Sequence, residues 1–262
     1  GKAGNATTRK SGDLPYKRPQ GHPEPLPVGQ HILKGTTMHI EPGVVDGAKM
    51  GLAYVTAASA AGYTAKLAVE DVGGHNVGSF AMRTLMAAVG TFVFFEVLPH
   101  FPVGVSEVHF ILGTTLFLLM GAAPAAIGLT VGLLLQGMFF APTDLPMFFV
   151  NVTTLLVPMF AITALARRVI PRGKGYVDLA YADVLKLSAI YQGGIVTWVA
   201  FWAFYGQGVG AESIQSVVTF GGAYMLVLLI EPLADLGALA GAKALRSTNL
   251  AGLFFNRLYT AA

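Results

Sequence analysis

All six histidines of this 262-residue chain fall before residue 110, and three of them, His39, His100 and His109, stand where hydrophobic segments begin or end. Three imidazoles gathered at one end of a helix bundle can ligate a divalent transition metal. Glu41, Glu96 and Glu107 lie near the same level and can supply an oxygen ligand or hold an imidazole in place. The residues alone leave a second reading open, in which these histidines sit at an interface and hydrogen-bond headgroups or loop carbonyls. No local ligand motif such as HExxH decides between the two. His22 and His31 belong to an N-terminal tail and His75 to a loop. Other chemistries are excluded. The chain has no cysteine, hence no disulfide, thiolate zinc site, iron–sulfur cluster or cysteine nucleophile. It carries neither a GxxxxGK[ST] phosphate loop nor a GxSxG nucleophile elbow, so it reads as a non-enzyme whose energy source, if it uses one, lies elsewhere.

The elements that must position these residues are membrane helices. Hydrophobic residues make up 54% of the chain and charged residues 12%, with a mean hydropathy of +0.61. A soluble domain carries about 25% charged residues, so this chain cannot cover a water-facing surface and its solvent is the lipid bilayer. From Val44 onward, apolar runs of the length needed to cross a bilayer follow one another. They predict helices near 45–68, 79–98, 105–121, 122–141, 146–168, 184–206 and 215–240. The expected fold is an all-α integral membrane bundle of about seven transmembrane helices. Arg167, Arg168, Arg172, Lys174, Lys243, Arg246 and Arg257 follow the fifth and seventh spans, and Lys66 and Arg83 flank the loop after the first. The opposite loops, 98–106, 141–146 and 207–214, hold no lysine or arginine. The positive-inside bias then predicts an extracytoplasmic N-terminus and a cytoplasmic C-terminus, and it brings His39, His100 and His109 to the outer ends of spans one to three.

Residues 1–37 differ in kind. They hold five prolines and no apolar period, with six basic against two acidic side chains, a net +4. Residues 38–262 hold 11 basic and 12 acidic side chains, a net −1. The overall +3 therefore comes from a polar, proline-rich basic extension (1–37) ahead of a transmembrane domain (38–262). A tail this short, without a folded basic face and interleaved aromatics, is not a nucleic-acid footprint.

Two further patterns bear on partners. Ala53, Ala57, Ala61 and Ala65 recur every four residues and make a smooth ridge along the first span. Such a ridge lets another backbone approach closely, either within the same bundle or in a docked membrane subunit. Glu231 and Asp235 stand one turn apart in the last span around Pro232. The expected topology puts these carboxylates in its inner half, far from the histidines, in a structural or partner-binding role. Gln136, Asn151, Thr153, Thr154 and Gln192 read as hydrogen-bonding residues between helices.

The string Met38-His39-Ile40-Glu41-Pro42-Gly43, opening a first membrane helix, resembles the start of the CbiM/NikM-type substrate-binding component of energy-coupling-factor cobalt and nickel transporters. The resemblance continues through Pro102-Val103-Gly104-Val105-Ser106-Glu107-Val108-His109 and through Gly132-Leu133-Leu134-Leu135-Gln136-Gly137-Met138-Phe139-Phe140, and more loosely to Asn151. It implies uptake of cobalt or nickel, with ATPase and transmembrane coupling subunits as partners, in the inner membrane of a bacterium or archaeon. In that family a free N-terminal methionine amine, the next backbone amide and its histidine chelate the ion, and a distant histidine completes the set. Carried over, these are Met38, His39 and His109, with His100 as an additional candidate, and Ala53, Ala57, Ala61 and Ala65 meet the coupling subunit. The chain departs from the pattern twice. Met38 follows 37 residues, so its nitrogen is a peptide amide unless the chain is cut after Thr37. Between Gln136 and Asn151 it has Ala141-Pro142-Thr143-Asp144 in place of a glycine-rich loop. A second reading follows from the first departure: a repurposed accessory subunit of a larger membrane complex, tethered by its N-terminal extension and without transport.

Overall fold

A computed structural model describes residues 1–4, 39–40, 42–74, 76–170 and 173–260. The chain divides into two units, Gly1–Lys34 and Gly35–Ala262; of the first, only residues 1–4 are described. The described part of the second unit is mostly helical: α1 (Met50–Gly74), α2 (Val77–Glu96), α3 (Gly113–Met120), α4 (Ala122–Phe139), α5 (Phe148–Val169), α6 (Tyr181–Gln207), α7 (Ala211–Tyr224) and α8 (Glu231–Ala244). A two-stranded antiparallel hairpin, β1 (His100–Val103) and β2 (Ser106–His109), stands between α2 and α3. Among the described residues, five segments are long and apolar enough to cross a membrane: Val77–Glu96, Ala122–Phe139, Pro142–Ala166, Tyr181–Gln207 and Ala211–Ala244. The protein is a multi-pass membrane protein by this architecture.

Two expected spans differ from the helices found. The run 105–121 reads as one apolar helix, but its first half is β2 and only eight residues are helical. Gly104 makes the difference. It turns the hairpin at φ +62°, and a Cβ there would meet the Ser216 carbonyl oxygen at 2.3 Å. Only glycine meets both conditions at low cost. The chain then passes through Leu112, at φ +51°, before α3 starts. The expected helix 215–240 is likewise two helices, joined by a 3-10 turn at Met225–Leu229. Pro232 has no N–H to donate and its ring crowds the carbonyl four residues back, so the α-helix stops and restarts at Glu231.

The core lies between α3, α5 and α6, where Leu118, Met159, Leu187, Tyr191 and Trp202 are fully buried. A tight seam joins α2 to α4. A Cβ on Gly128 would sit 2.3 Å from the Ala87 Cβ, and one on Gly132 would sit 2.6 Å from that of Thr91. Small residues on both helices let the backbones meet, which is how membrane helices gain packing without a hydrophobic driving force. Gly128→Ala should therefore cost about 1–3 kcal/mol through overpacking. Gly62→Ala, with nothing within 4 Å of its Cβ, should be neutral or gain up to about 1 kcal/mol in helix propensity. Thermal midpoints of the two variants in mild detergent check this, and equal midpoints would refute the seam.

The alanine ridge of α1 divides in two. Ala53 and Ala57 are buried within the bundle, whereas Ala61 and Ala65 are exposed. The bare half borders a 530 Å³ groove whose other walls include Ile127, Val131, Phe149 and Leu156.

At the far end of α2 a buried ion pair ties four segments. The Arg83 guanidinium is fully buried and donates to Asp71 at the end of α1 at 2.5 and 3.1 Å, and to the Met120 carbonyl at the end of α3 at 2.6 Å. It also lies over the rings of Phe80 and Phe255 at 5.9 and 5.6 Å. Phe255 belongs to the C-terminal segment, and its N–H donates to the Leu119 carbonyl at 2.8 Å. Farther along, the Tyr259 hydroxyl donates to the Ala242 carbonyl at 2.9 Å.

Candidate metal centre

His39 lies in the segment leading to α1, and its place is set from across the bundle. The Ile40 N–H donates to Asn151 Oδ1 on α5 at 3.2 Å. His109 ends β2. The two imidazoles are buried, with ring centroids 5.4 Å apart and ring planes at 72°. Both pack edgewise on Phe95 of α2, at 5.4 and 4.8 Å. Asp144, in the 3-10 turn Pro142–Met147, is also buried and brings Oδ2 to 3.5 Å from His39 Nδ1. Glu107 is 2% exposed, and neither of its carboxylate oxygens has a hydrogen-bond partner.

His39, Glu107 and His109 line a small cavity together with Asn151, Thr154 and Tyr224. Its volume is 20 Å³, enough for one water or one bare ion and too small for an organic ligand. Around it, both nitrogens of His39, Nδ1 of His109 and the Tyr224 hydroxyl make no hydrogen bond. Buried polar atoms nearly always find a partner, so this concentration singles out the cavity as the candidate site. Burial, and then the neighbouring His39, push the His109 pKa down to about 3. The ring is neutral at physiological pH and keeps a lone pair for a metal. Burial, and then Asp144, push the Glu107 carboxyl up to about 8. As they stand, no three His, Asp or Glu side chains among the described residues are close enough to hold an ion.

The sequence-derived residues thus fall into three groups. His39 and His109 are brought together. His100 faces His109 across the hairpin register, but its Nδ1 sits 3.3 Å from the Leu98 carbonyl oxygen and its ring does not line the cavity. Met38, Glu41, His22, His31 and His75 lie outside the described residues. Asp144 and the Asn151–Ile40 bond were not foreseen as parts of the site. The signal for Asp144 is the acidic departure from a glycine-rich loop, and for Asn151 its reading as a hydrogen-bonding residue between helices.

The placement of Glu231 and Asp235 far from the histidines is corrected. Glu231 Oε1 accepts the N–H groups of Ile111 and Leu112, both at 3.0 Å, only two and three residues beyond His109. The Gln192 amide donates to Oε2, and Asp235 accepts from the hydroxyls of Thr115 and Ser188. Both carboxylates are fully buried. The reason is α3: it starts at residue 113 rather than near 105, so its N-terminus lies inside the bundle, where Glu231 accepts the N–H groups just ahead of it.

The family model described as cobalt uptake substrate-specific transmembrane region, CbiM, matches residues 39–248. No curated protein and no solved structure matches the chain. The match takes in the segment carrying His39, the hairpin carrying His109 and every helix described above, leaving only the ends outside: the chain belongs to the CbiM family, a transport-related membrane family whose substrate is cobalt.

Proposed function

We propose that this chain is the substrate-binding membrane component of an energy-coupling-factor transporter, capturing cobalt or nickel for import. The observation that carries the reading is the pair of buried imidazoles at an ion-sized cavity in a chain of this family. His39 and His109 hold the ion, joined by the Met38 nitrogen where the chain is cut after Thr37. The His39 end of the bundle faces outward and the C-terminus is cytoplasmic, in the inner membrane of a bacterium or archaeon. In this orientation α1 is the first crossing. At 25 residues and about 1.5 Å per residue, α1 is long enough to span. A transmembrane coupling subunit docks on the bare half of the alanine ridge, Ala61 and Ala65, while Ala53 and Ala57 pack inside the bundle. Separate ATPase subunits supply the energy.

Cobalt titration of the protein in mild detergent tests this. The unaltered chain should bind one cobalt, and His109→Ala should weaken binding at least about a hundredfold, since ligand loss exceeds the 10–100-fold typical of supporting residues. Equal binding by both proteins, or none by either, would overturn the reading. One observation favours a second reading, an accessory subunit of a larger membrane complex. The 37 residues before Met38, six basic and two acidic, bury its nitrogen in a peptide bond and suit an electrostatic tether. An uncut chain that co-purifies with a complex and carries no metal would establish that reading instead.

A further inference from the structure

We propose that Asp235 is a neutral carboxylic acid at physiological pH, so that the bundle holds a proton where α3, α6 and α8 meet. The inference stands apart from the metal-binding reading above. Glu231 and Asp235 are one turn apart on α8, and both are fully buried. Among the described residues, no lysine, arginine or histidine pairs with either. Lys243, the basic residue of α8, stands two turns farther on and pairs with Asp178 at 2.7 Å. Two unpaired carboxylates this close inside a low-dielectric bundle do not both stay ionised, since burial and mutual repulsion each favour the neutral form. One of the two takes a proton.

The hydrogen-bond partners decide which. Glu231 Oε1 accepts the Ile111 and Leu112 N–H groups, both at 3.0 Å, and Oε2 accepts the Gln192 amide. Backbone N–H groups only donate, and donors aimed at an oxygen favour its charged form. Asp235 meets two hydroxyls instead, Thr115 at Oδ1 and Ser188 at Oδ2, the second at 3.2 Å. A hydroxyl donates or accepts as its partner requires. Ser188 lies within α6, where its O–H can turn to the carbonyl one turn back while its oxygen takes the acid proton. Asp235 thus keeps both contacts when protonated, accepting from Thr115 and donating to Ser188. The elements packed on α8 bring no cation to the pair. α3 and the 3-10 turn Met225–Leu229 have no titratable side chain. α6 brings Tyr191 and, toward its start, Asp183, which accepts the Ala180 N–H, and the exposed Lys186. The turn Tyr176–Asp178 brings Tyr176 and the Asp178 already engaged by Lys243.

The test is infrared spectroscopy of the full, detergent-purified chain at neutral pH, with and without heavy carbon in the aspartate side-chain carboxyls. The expected result is the carbonyl band of an un-ionised carboxylic acid, moved to lower frequency by the aspartate label. Asp235→Asn should abolish that label-sensitive band. Asp144→Asn and Asp183→Asn, which remove two other buried aspartates, should retain it. Absence of a label-sensitive acid band in the unaltered chain overturns the inference. So does a band that survives Asp235→Asn or vanishes in either of the other variants. The unaltered chain and the two other variants keep the test decisive even if Asp235→Asn fails to fold. Cobalt plays no part in the readout, so failure of the transport reading and failure of this inference are separate results.

Discussion

Arg83→Leu should destabilise the bundle by about 3–5 kcal/mol, the cost of removing one partner from a buried ion pair. Asp71 would keep a charge inside the protein without its bidentate partner, and the Met120 carbonyl would lose a 2.6 Å donor. Arg83 also spans the rings of Phe80 and Phe255, so leucine forfeits the contacts between α2 and the C-terminal segment. Replacing both partners should recover much of the loss, because a pair of apolar residues leaves no orphaned charge. Denaturation of the single and double variants, by titrating a harsh detergent into a mild one, measures both effects. A single variant within about 0.5 kcal/mol of the parent, the range of ordinary surface changes, would show that the ion pair does not hold these segments together.

Glu231→Leu should cost about 3 kcal/mol or more, since three donors lose their acceptor at about 1–3 kcal/mol each. These donors are the backbone N–H groups of Ile111 and Leu112 and the Gln192 amide. The two backbone groups cannot turn elsewhere, because Leu112 is held in the left-handed region just ahead of α3. Glu231→Gln should be mild. A glutamine oxygen can take both N–H groups, and Gln192 can rotate its amide to present an Oε1 that has no partner in its present pose. The pair separates shape from charge. A large loss in the leucine variant with little loss in the glutamine variant assigns Glu231 the role of hydrogen-bond acceptor for the turn behind His109. Equal stability of the leucine variant and the parent would remove that role.

The long helices were legible because lipid demands runs of about twenty apolar residues, and few other structures leave that trace. The hairpin was not. Residues 105–121 are almost uniformly apolar, and periodicity does not separate a strand from a helix in such a run. Pro102 and Gly104, both unfavourable inside a helix, were the available signals. Reading α3 as a full span then misplaced Glu231, since nothing in the sequence announced a helix N-terminus buried within the bundle. His39 and His109 could be singled out from their motifs and their place at segment ends. Asp144 could not, because its contact with His39 joins residues 105 positions apart through a turn that follows no periodic pattern.

The docking of residue 255 onto residue 119 also dictates an order of events during synthesis. Until Phe255 leaves the ribosome, the carbonyl of Leu119 lacks its donor and one face of the Arg83 guanidinium has no ring to lie over. The joint between α3 and α4 is therefore completed by a segment made long after both helices. A nascent chain arrested before that point holds its helices in the bilayer with the joint between α3 and α4 still unsealed.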